Sequence, residues 1–225
     1  MVNVNLGSFD FSFIEKQDVS YLDELLLDEK GNLKILSYED LKEVPQTHLT
    51  TFCVKKGFYS IPTKELISFI YEEIKEDYIS TIEIGSGNGT IAKSLGIKGT
   101  DNYLQHRPEV KAHYELLQQT IVPYGENVEK LDALAAVRKY QPENVIAAWV
   151  THKYNPDQHW RGGSEFGVNE ETLLSNINKY IFVGNKHVHS KKPLLELKHR
   201  EIKEPWILSR SQHSDDNFIA IWENE

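Results

Sequence analysis

Apolar residues along residues 58 to 225 switch repeatedly between a period of two and a period near 3.6. Ile82 and Ile84 alternate with polar neighbours and read as a buried strand. Ile97 to Asp101, Thr120 to Tyr124 and Tyr180 to Val183 predict further strands, and Asn144 to Val150 is apolar enough for a central parallel strand covered on both faces. Helical spacing lies between them. Thr63 caps a helix with Leu66, Ile67, Ile70 and Ile74 on one face, ending near Asp77. A short helix follows Gly89 and stops at Leu95, and Pro108 opens one that buries Val110, Tyr114 and Leu117. Val128, Leu131, Leu134 and Ala135 predict one continuous helix to Tyr140, and Asn169 caps another with Leu173, Leu174 and Ile177 buried. Pro205 to Ser209 and Phe218 to Trp222, flanking the turn-rich S-Q-H-S-D-D-N, read as an antiparallel hairpin. The expectation is a three-layer α/β/α sheet of about seven strands, mostly parallel, with an antiparallel hairpin at the C-terminal end.

Residues 1 to 57 have another texture. Phe9, Phe11 and Phe13 alternate with polar residues, and Val19 to Leu27 is a short acidic amphipathic segment before the turn at Gly31-Asn32. Leu33 to Leu36 predicts a short strand, and Ser37 caps a brief helix through Glu43 that Pro45 ends. This region is expected to be an N-terminal extension, either packed over a sheet edge or serving as a cap over the cleft of a domain spanning residues 58 to 225.

The strand around Ile82 runs into T-I-E-I-G-S-G-N-G-T, where Gly85, Gly87 and Gly89 occupy alternate positions. Glycines at this spacing let backbone approach a ligand where a Cβ would fill the space. Glu83 precedes the turn, and Asp101 stands at the end of the next expected strand, where a nucleoside ribose would offer its hydroxyls. A dinucleotide site needs G-x-G-x-x-G, and a carboxylate two residues before the first glycine opposes a pyrophosphate. The arrangement E-x-G-x-G-x-G instead resembles motif I of the class I S-adenosylmethionine-dependent methyltransferases. That resemblance implies a Rossmann-like methyltransferase fold with S-adenosylmethionine as cofactor, held by Glu83, Gly85, Gly87, Asn88, Asp101 and Asn102. It also implies that Glu126 and Asn127 face the adenine, with Leu131-Asp132-Ala133 as the rival position, and that Trp149 packs against the cofactor or the core. On the same grounds Tyr59 or Ser60, in the loop before motif I, becomes a ligand contact, the alternative being that the loop aromatics fill the core.

The resemblance places the methyl acceptor after the Asn144 strand, at Thr151-His152-Lys153-Tyr154-Asn155-Pro156. No D-P-P-Y or N-P-P-Y occurs there, which removes the signature of exocyclic-amine DNA methylation, and no Pro-Cys supplies a cytosine-C5 nucleophile. His152 is the expected base, since an imidazole of ordinary pKa suits proton removal near neutrality, and Tyr154 is expected to orient the acceptor. A rival chemistry brings His152, His159, His187 and His189 to one rim as metal ligands, although H-x-H spacing alone is a weak signal and the expectation is no metal.

Composition narrows the partners. A formal charge of -9 disfavours long nucleic acids and anionic membranes, leaving a small molecule or a protein as the favoured acceptor. The single cysteine, Cys53, excludes an intrachain disulfide, and no apolar run is long enough to span a bilayer, so a cytoplasmic setting is expected. A degenerate methyltransferase fold that binds a nucleoside or a protein without catalysis is the alternative. A nicotinamide-dependent oxidoreductase is disfavoured by Glu83 and the terminal hairpin.

Overall fold

The computed structural model describes residues 17–224, so the alternating Phe9, Phe11 and Phe13 lie outside the described residues. Three helices come first: α1 (Tyr21–Leu26), α2 (Tyr38–Leu41) and α3 (Gln46–Lys56). The Ser37 hydroxyl accepts the Asp40 N–H and the Asp40 carboxylate accepts the Ser37 N–H, a capping box that fixes the start of α2. Helix α3 is absent from the sequence expectation, because Thr47, Thr50 and Thr51 blur its periodicity and Pro45 reads as a stop when it in fact precedes the first turn. Leu33 to Leu36 forms no strand; Leu33 makes a single bridge to Leu27. These helices bury Leu22, Leu26, Leu49 and Phe52 together with Phe58, Ile61 and Leu208.

The remaining chain gives β1 (Ser60–Ile61), α4 (Lys64–Ile74), β2 (Thr81–Ile84), α5 (Thr90–Leu95), β3 (Lys98–Asp101), α6 (Pro108–Leu116), β4 (Val128–Lys130) and α7 (Ala133–Tyr140). It continues with β5 (Asn144–Ala148), α8 (Glu170–Leu174), β6 (Lys179–Asn185), α9 (Lys186–His189), β7 (Arg200–Ile202), β8 (Leu208–Ser209) and β9 (Asn217–Glu223). Seven of these strands make one sheet in the order β4-β3-β2-β5-β6-β9-β7, and β9 alone runs against the others. Helices α7 and α8 cover one face through Ala136, Val137, Leu173 and Leu174, while α4 and α5 cover the other through Leu66, Ile70, Ile91 and Leu95. This is the expected α/β architecture, with the reversed strand inserted beside β6. The chain builds outward from β2 to β4 and then returns to β5, so the order reverses between β2 and β5, and a crevice opens beyond their carboxyl ends.

Two strand assignments are corrected. Thr120 to Tyr124 is a loop: Pro123 has no N–H to donate, and the Val122 N–H bonds to Gln105 Oε1 at 2.8 Å in place of a neighbouring strand. The strand lies later, at Val128–Lys130, and the following helix starts only at Ala133, where the Asp132 carboxylate accepts the Leu134 and Ala135 N–H groups. The terminal hairpin has a different partner. Leu208–Ser209 pairs with Ser60–Ile61 in a separate two-stranded ribbon, and β9 takes Arg200–Ile202 as its outer neighbour. That edge strand is charged and short, as edges that avoid further pairing are, and so carries little apolar signal.

Under the end of β5 lies a buried ion pair. Lys192 Nζ sits 2.7 Å from Glu170 Oε2 with both side chains almost solvent-free, and it donates to the Val150 carbonyl at 3.0 Å. The Tyr180 hydroxyl donates to the other Glu170 oxygen at 2.7 Å. Burial pulls the Lys192 pKa down, and Glu170 opposes that pull. Breaking the pair leaves a charge without a counterion, so Glu170→Ala is expected to cost about 3–5 kcal/mol of stability in urea unfolding. A loss under about 1 kcal/mol would show that the ammonium has other support.

Candidate functional site

Strand β2 ends in a turn that needs glycine. Gly85 has φ +56°, and a Cβ there would lie 2.4 Å from Val150 Cγ1, so neither the conformation nor the space admits a side chain. The turn is tied to β3 on two levels. The Ser86 N–H donates to the Thr100 carbonyl at 3.0 Å and its hydroxyl accepts the Thr100 N–H at 3.0 Å, while the Gly87 N–H donates to Asp101 Oδ2 at 3.0 Å. The Tyr103 N–H donates to the second oxygen, Oδ1, at 2.8 Å. Burial raises the Asp101 pKa and these two bonds oppose it. Each oxygen keeps a further lone pair for a ligand.

Glu83 is buried behind the turn, where it accepts the Ala92 N–H in the first turn of α5 at 2.9 Å. Burial pushes its carboxyl up to about 8, and the Asp101 charge adds to the shift. At neutral pH the protonated acid therefore predominates.

Strand β5 is followed by Trp149, whose φ of +60° is a left-handed conformation that bulky residues rarely adopt and that costs about 1–3 kcal/mol. Its N–H donates to the Val183 carbonyl at 2.9 Å, and Lys192 holds the next carbonyl, so both sides of the strained residue are fixed. The indole lies against Tyr59 and His189, and its Nε1 is buried with no partner. His152 follows in a parallel bridge to Val168, its carbonyl accepting the Ser164 N–H at 3.0 Å. Gly167 passes so close that a Cβ would lie 2.1 Å from that carbonyl oxygen, which is how residues 161–168 fold back over the strand end. The His152 Nε2 is also buried without a partner, and burial together with the Lys192 charge pushes its pKa down to about 4. The premise of an imidazole with an ordinary pKa is thus corrected: His152 is neutral at physiological pH and a weak base.

A cavity of about 660 Å³ joins these elements. Glu83, Gly85, Gly87, Asn88, Asp101, Asn102, Trp149 and His152 border it, as do Tyr59 and Ser60. Glu126, Asn127 and Tyr154 are not among its bordering residues. Asn127 instead braces the glycine turn from behind, donating to the Gly89 carbonyl at 3.0 Å. With β4 placed at Val128–Lys130, Leu131, Asp132 and Ala133 follow the strand and border the cavity, which is the rival position for adenine.

The four histidines considered as metal ligands do not gather together. His189 is buried, its Nδ1 accepts the Asn185 N–H at 3.1 Å, and burial pushes its pKa to about 3. His159 lies against Trp160 and does not border the cavity. His187 instead stacks on His213 at 4.1 Å, and their ring nitrogens and an Asp216 oxygen fall within 4.8 Å of one another at the exposed rim, the set among the described residues that could hold a metal ion. Sequence reasoning also missed Gln119 and Arg210, which border the cavity; both lie outside any motif, and only pairing of their distant segments brings them together.

No protein-family model and no curated protein matches the chain. Among solved structures, it is similar to precorrin-6y C5,15-methyltransferase from Geobacter metallireducens, at 9% identity and a TM-score of 0.37 over 72% of this chain and 89% of that one. A Thermoplasma acidophilum protein gives 15% identity and a TM-score of 0.37, covering 72% and 90%. A Streptococcus pneumoniae protein named as a candidate tRNA (m1A22) methyltransferase gives 14% and 0.30, covering 78% and 67%.

The raised Glu83 pKa makes a pH prediction with a definite sign. Relative to an ordinary carboxyl near 4.5, its contribution to stability is fully present below that value and is lost as pH rises towards about 8. Glu83→Gln keeps an acceptor for Ala92 and removes the titration. Between pH 5 and 8 the parent should lose stability relative to the variant, by at most about 1.4 kcal/mol per pH unit. Parallel urea curves for the two proteins across that range would contradict the buried, protonated Glu83.

Proposed function

We propose that the chain is an S-adenosylmethionine-dependent methyltransferase, binding its cofactor at the ends of β2 and β3 and its acceptor over the end of β5. The observation that carries this reading is the Gly87 N–H to Asp101 bond, which sets a carboxylate against a glycine turn at the switch point of a sheet whose strand beside β6 is reversed. The bordering residues fit the cofactor. Asp101 retains acceptor capacity for ribose hydroxyls, Leu131 to Ala133 offer an apolar edge and backbone groups to adenine, and Trp149 borders the cavity with a buried indole N–H that has no partner from the protein. Glu83 suits a cationic ligand, because a nearby ammonium or sulfonium charge would draw its carboxyl back towards ionisation.

The cofactor supplies an already activated methyl group, so the protein's task is alignment and removal of any acceptor proton. His152 is a neutral imidazole whose buried Nε2 has no partner, and we propose that it accepts a hydrogen bond from the acceptor once the Gly163 backbone beside it gives way. The loop 161–168 folds over the His152 backbone and borders that end of the cavity. A cavity of this size in an acidic chain favours a small-molecule acceptor. Tyr154 stays outside the cavity in this arrangement and is proposed to act only at its entrance. One observation favours the binding-only alternative: with a pKa near 4, His152 is poorly matched to general-base work.

Calorimetric titration with S-adenosylmethionine, S-adenosylhomocysteine and NAD tests the reading. Micromolar binding of the first two and none of the third is expected, with Asp101→Ala weakening binding about 10- to 100-fold through loss of charged hydrogen bonds. Gly87→Val should abolish it. Binding of NAD alone, or of none of the three, would end the proposal.

A further inference from the structure

The two-stranded ribbon of β1 and β8 delivers a charge to the cavity that nothing above uses. Its ladder extends one step beyond Ser60↔Ser209, with the Arg210 N–H donating to the Tyr59 carbonyl at 3.0 Å, so the two side chains emerge together. The Arg210 guanidinium lies 4.5 Å over the Tyr59 ring. Only 7% of the residue is exposed, yet it borders the cavity. Its one recorded side-chain hydrogen bond runs from Nη2 to Gln119 Oε1 at 3.0 Å, and Gln119 is itself buried. No carboxylate of the described residues forms an ion pair with it.

A buried guanidinium without a counter-charge is costly, and this chain pairs its other deeply buried cation, Lys192, with Glu170. The guanidinium offers five N–H donors in a planar fork that matches a carboxylate, and a single neutral amide oxygen leaves most of that fork unused. The neighbouring hydroxyls add polar edges: Tyr59 and Tyr114 are bonded at 2.7 Å, and Gln105 Nε2 donates to Tyr59 at 3.0 Å. Tyr59 also adjoins Trp149, which puts this corner beside the end of β5.

We propose that Arg210, with Gln119 and Tyr59, forms an oxyanion subsite that takes a ligand carboxylate and supplies the counter-charge the fold omits. Two sources present that chemistry in this cavity: the amino-acid end of the cofactor, which rests on the functional reading above, and an acidic acceptor, which does not require it.

Three probes separate them, titrated into the full chain and into Arg210→Met. S-adenosylhomocysteine carries the amino-acid carboxylate, 5′-methylthioadenosine lacks it, and acetate, against chloride at matched ionic strength, offers the carboxylate alone. If the cofactor supplies the anion, Arg210→Met lowers affinity for S-adenosylhomocysteine about 10- to 100-fold and leaves methylthioadenosine unchanged. If the acceptor supplies it, both nucleosides bind parent and variant alike, while a saturable thermal stabilisation by acetate is seen in the parent, is reduced in Arg210→Lys and is absent in Arg210→Met. Failure of S-adenosylhomocysteine to bind the parent would remove the cofactor reading, and the acetate series would still decide the subsite. Identical responses of parent and Arg210→Met to all three probes overturn the proposal. So does a fall of more than about 5 °C in the ligand-free melting temperature of Arg210→Met, because removing an unpaired buried charge is neutral or stabilising, whereas removing a structural one is not.

Discussion

A single buried ammonium holds the centre of this molecule in its working shape. Lys192 bonds the Val150 carbonyl, is neutralised by Glu170 and rests over the Phe182 ring at 4.5 Å, while Tyr180 satisfies the second Glu170 oxygen. That network spans α8, β6 and the segment after α9, and its output is the position of the residue following Trp149. Without it, the left-handed Trp149 would have little reason to hold a conformation that bulky side chains avoid. The strained turn in its own right sets where Thr151 and His152 begin and hence where loop 161–168 can close.

The same charge shapes the electrostatics around it. His152 and His189 are both driven far below their ordinary range by burial and by Lys192, and Glu83 is driven above its own by burial. Groups that are neutral at pH 7 therefore border the cavity, along with an Asp101 bound by two backbone N–H groups and an Arg210 with no carboxylate partner among the described residues. A ligand that carries hydroxyls, a cationic portion and a carboxylate would complement Asp101, Glu83 and Arg210 respectively. That complementarity is the physical content of the proposed cofactor reading, and it does not require His152 to act as a base.

What could be read from the sequence follows from how local each signal was. The glycine turn, both acids and the apolar β5 were visible because each is written in a few consecutive residues. The reversed strand was also legible, as Phe218 to Trp222, but its partner was not, since Arg200–Ile202 is polar and the more apolar Leu208–Ser209 is spent on the ribbon with β1. The region after α6 misled through its apolar spacing: Val128 looked like the start of a helix that only Asp132 caps, and with that boundary moved Leu131 to Ala133 border the cavity while Glu126 and Asn127 do not. The His152 environment and the Arg210 corner are products of long-range packing. No spacing rule reports that a lysine forty residues on will lie close to His152, or that Arg210 will end up over the ring of Tyr59.

The account turns on Asp101 and the Gly85–Gly87 turn as one ligand-binding unit, and a crystal structure of the chain with S-adenosylhomocysteine tests that most directly. It should show the ribose hydroxyls on the Asp101 carboxylate, the amino-acid portion running past the glycine turn, and the adenine beside Leu131 to Ala133. A nucleoside seated elsewhere, with Asp101 bonded only to Gly87 and Tyr103, would contradict it.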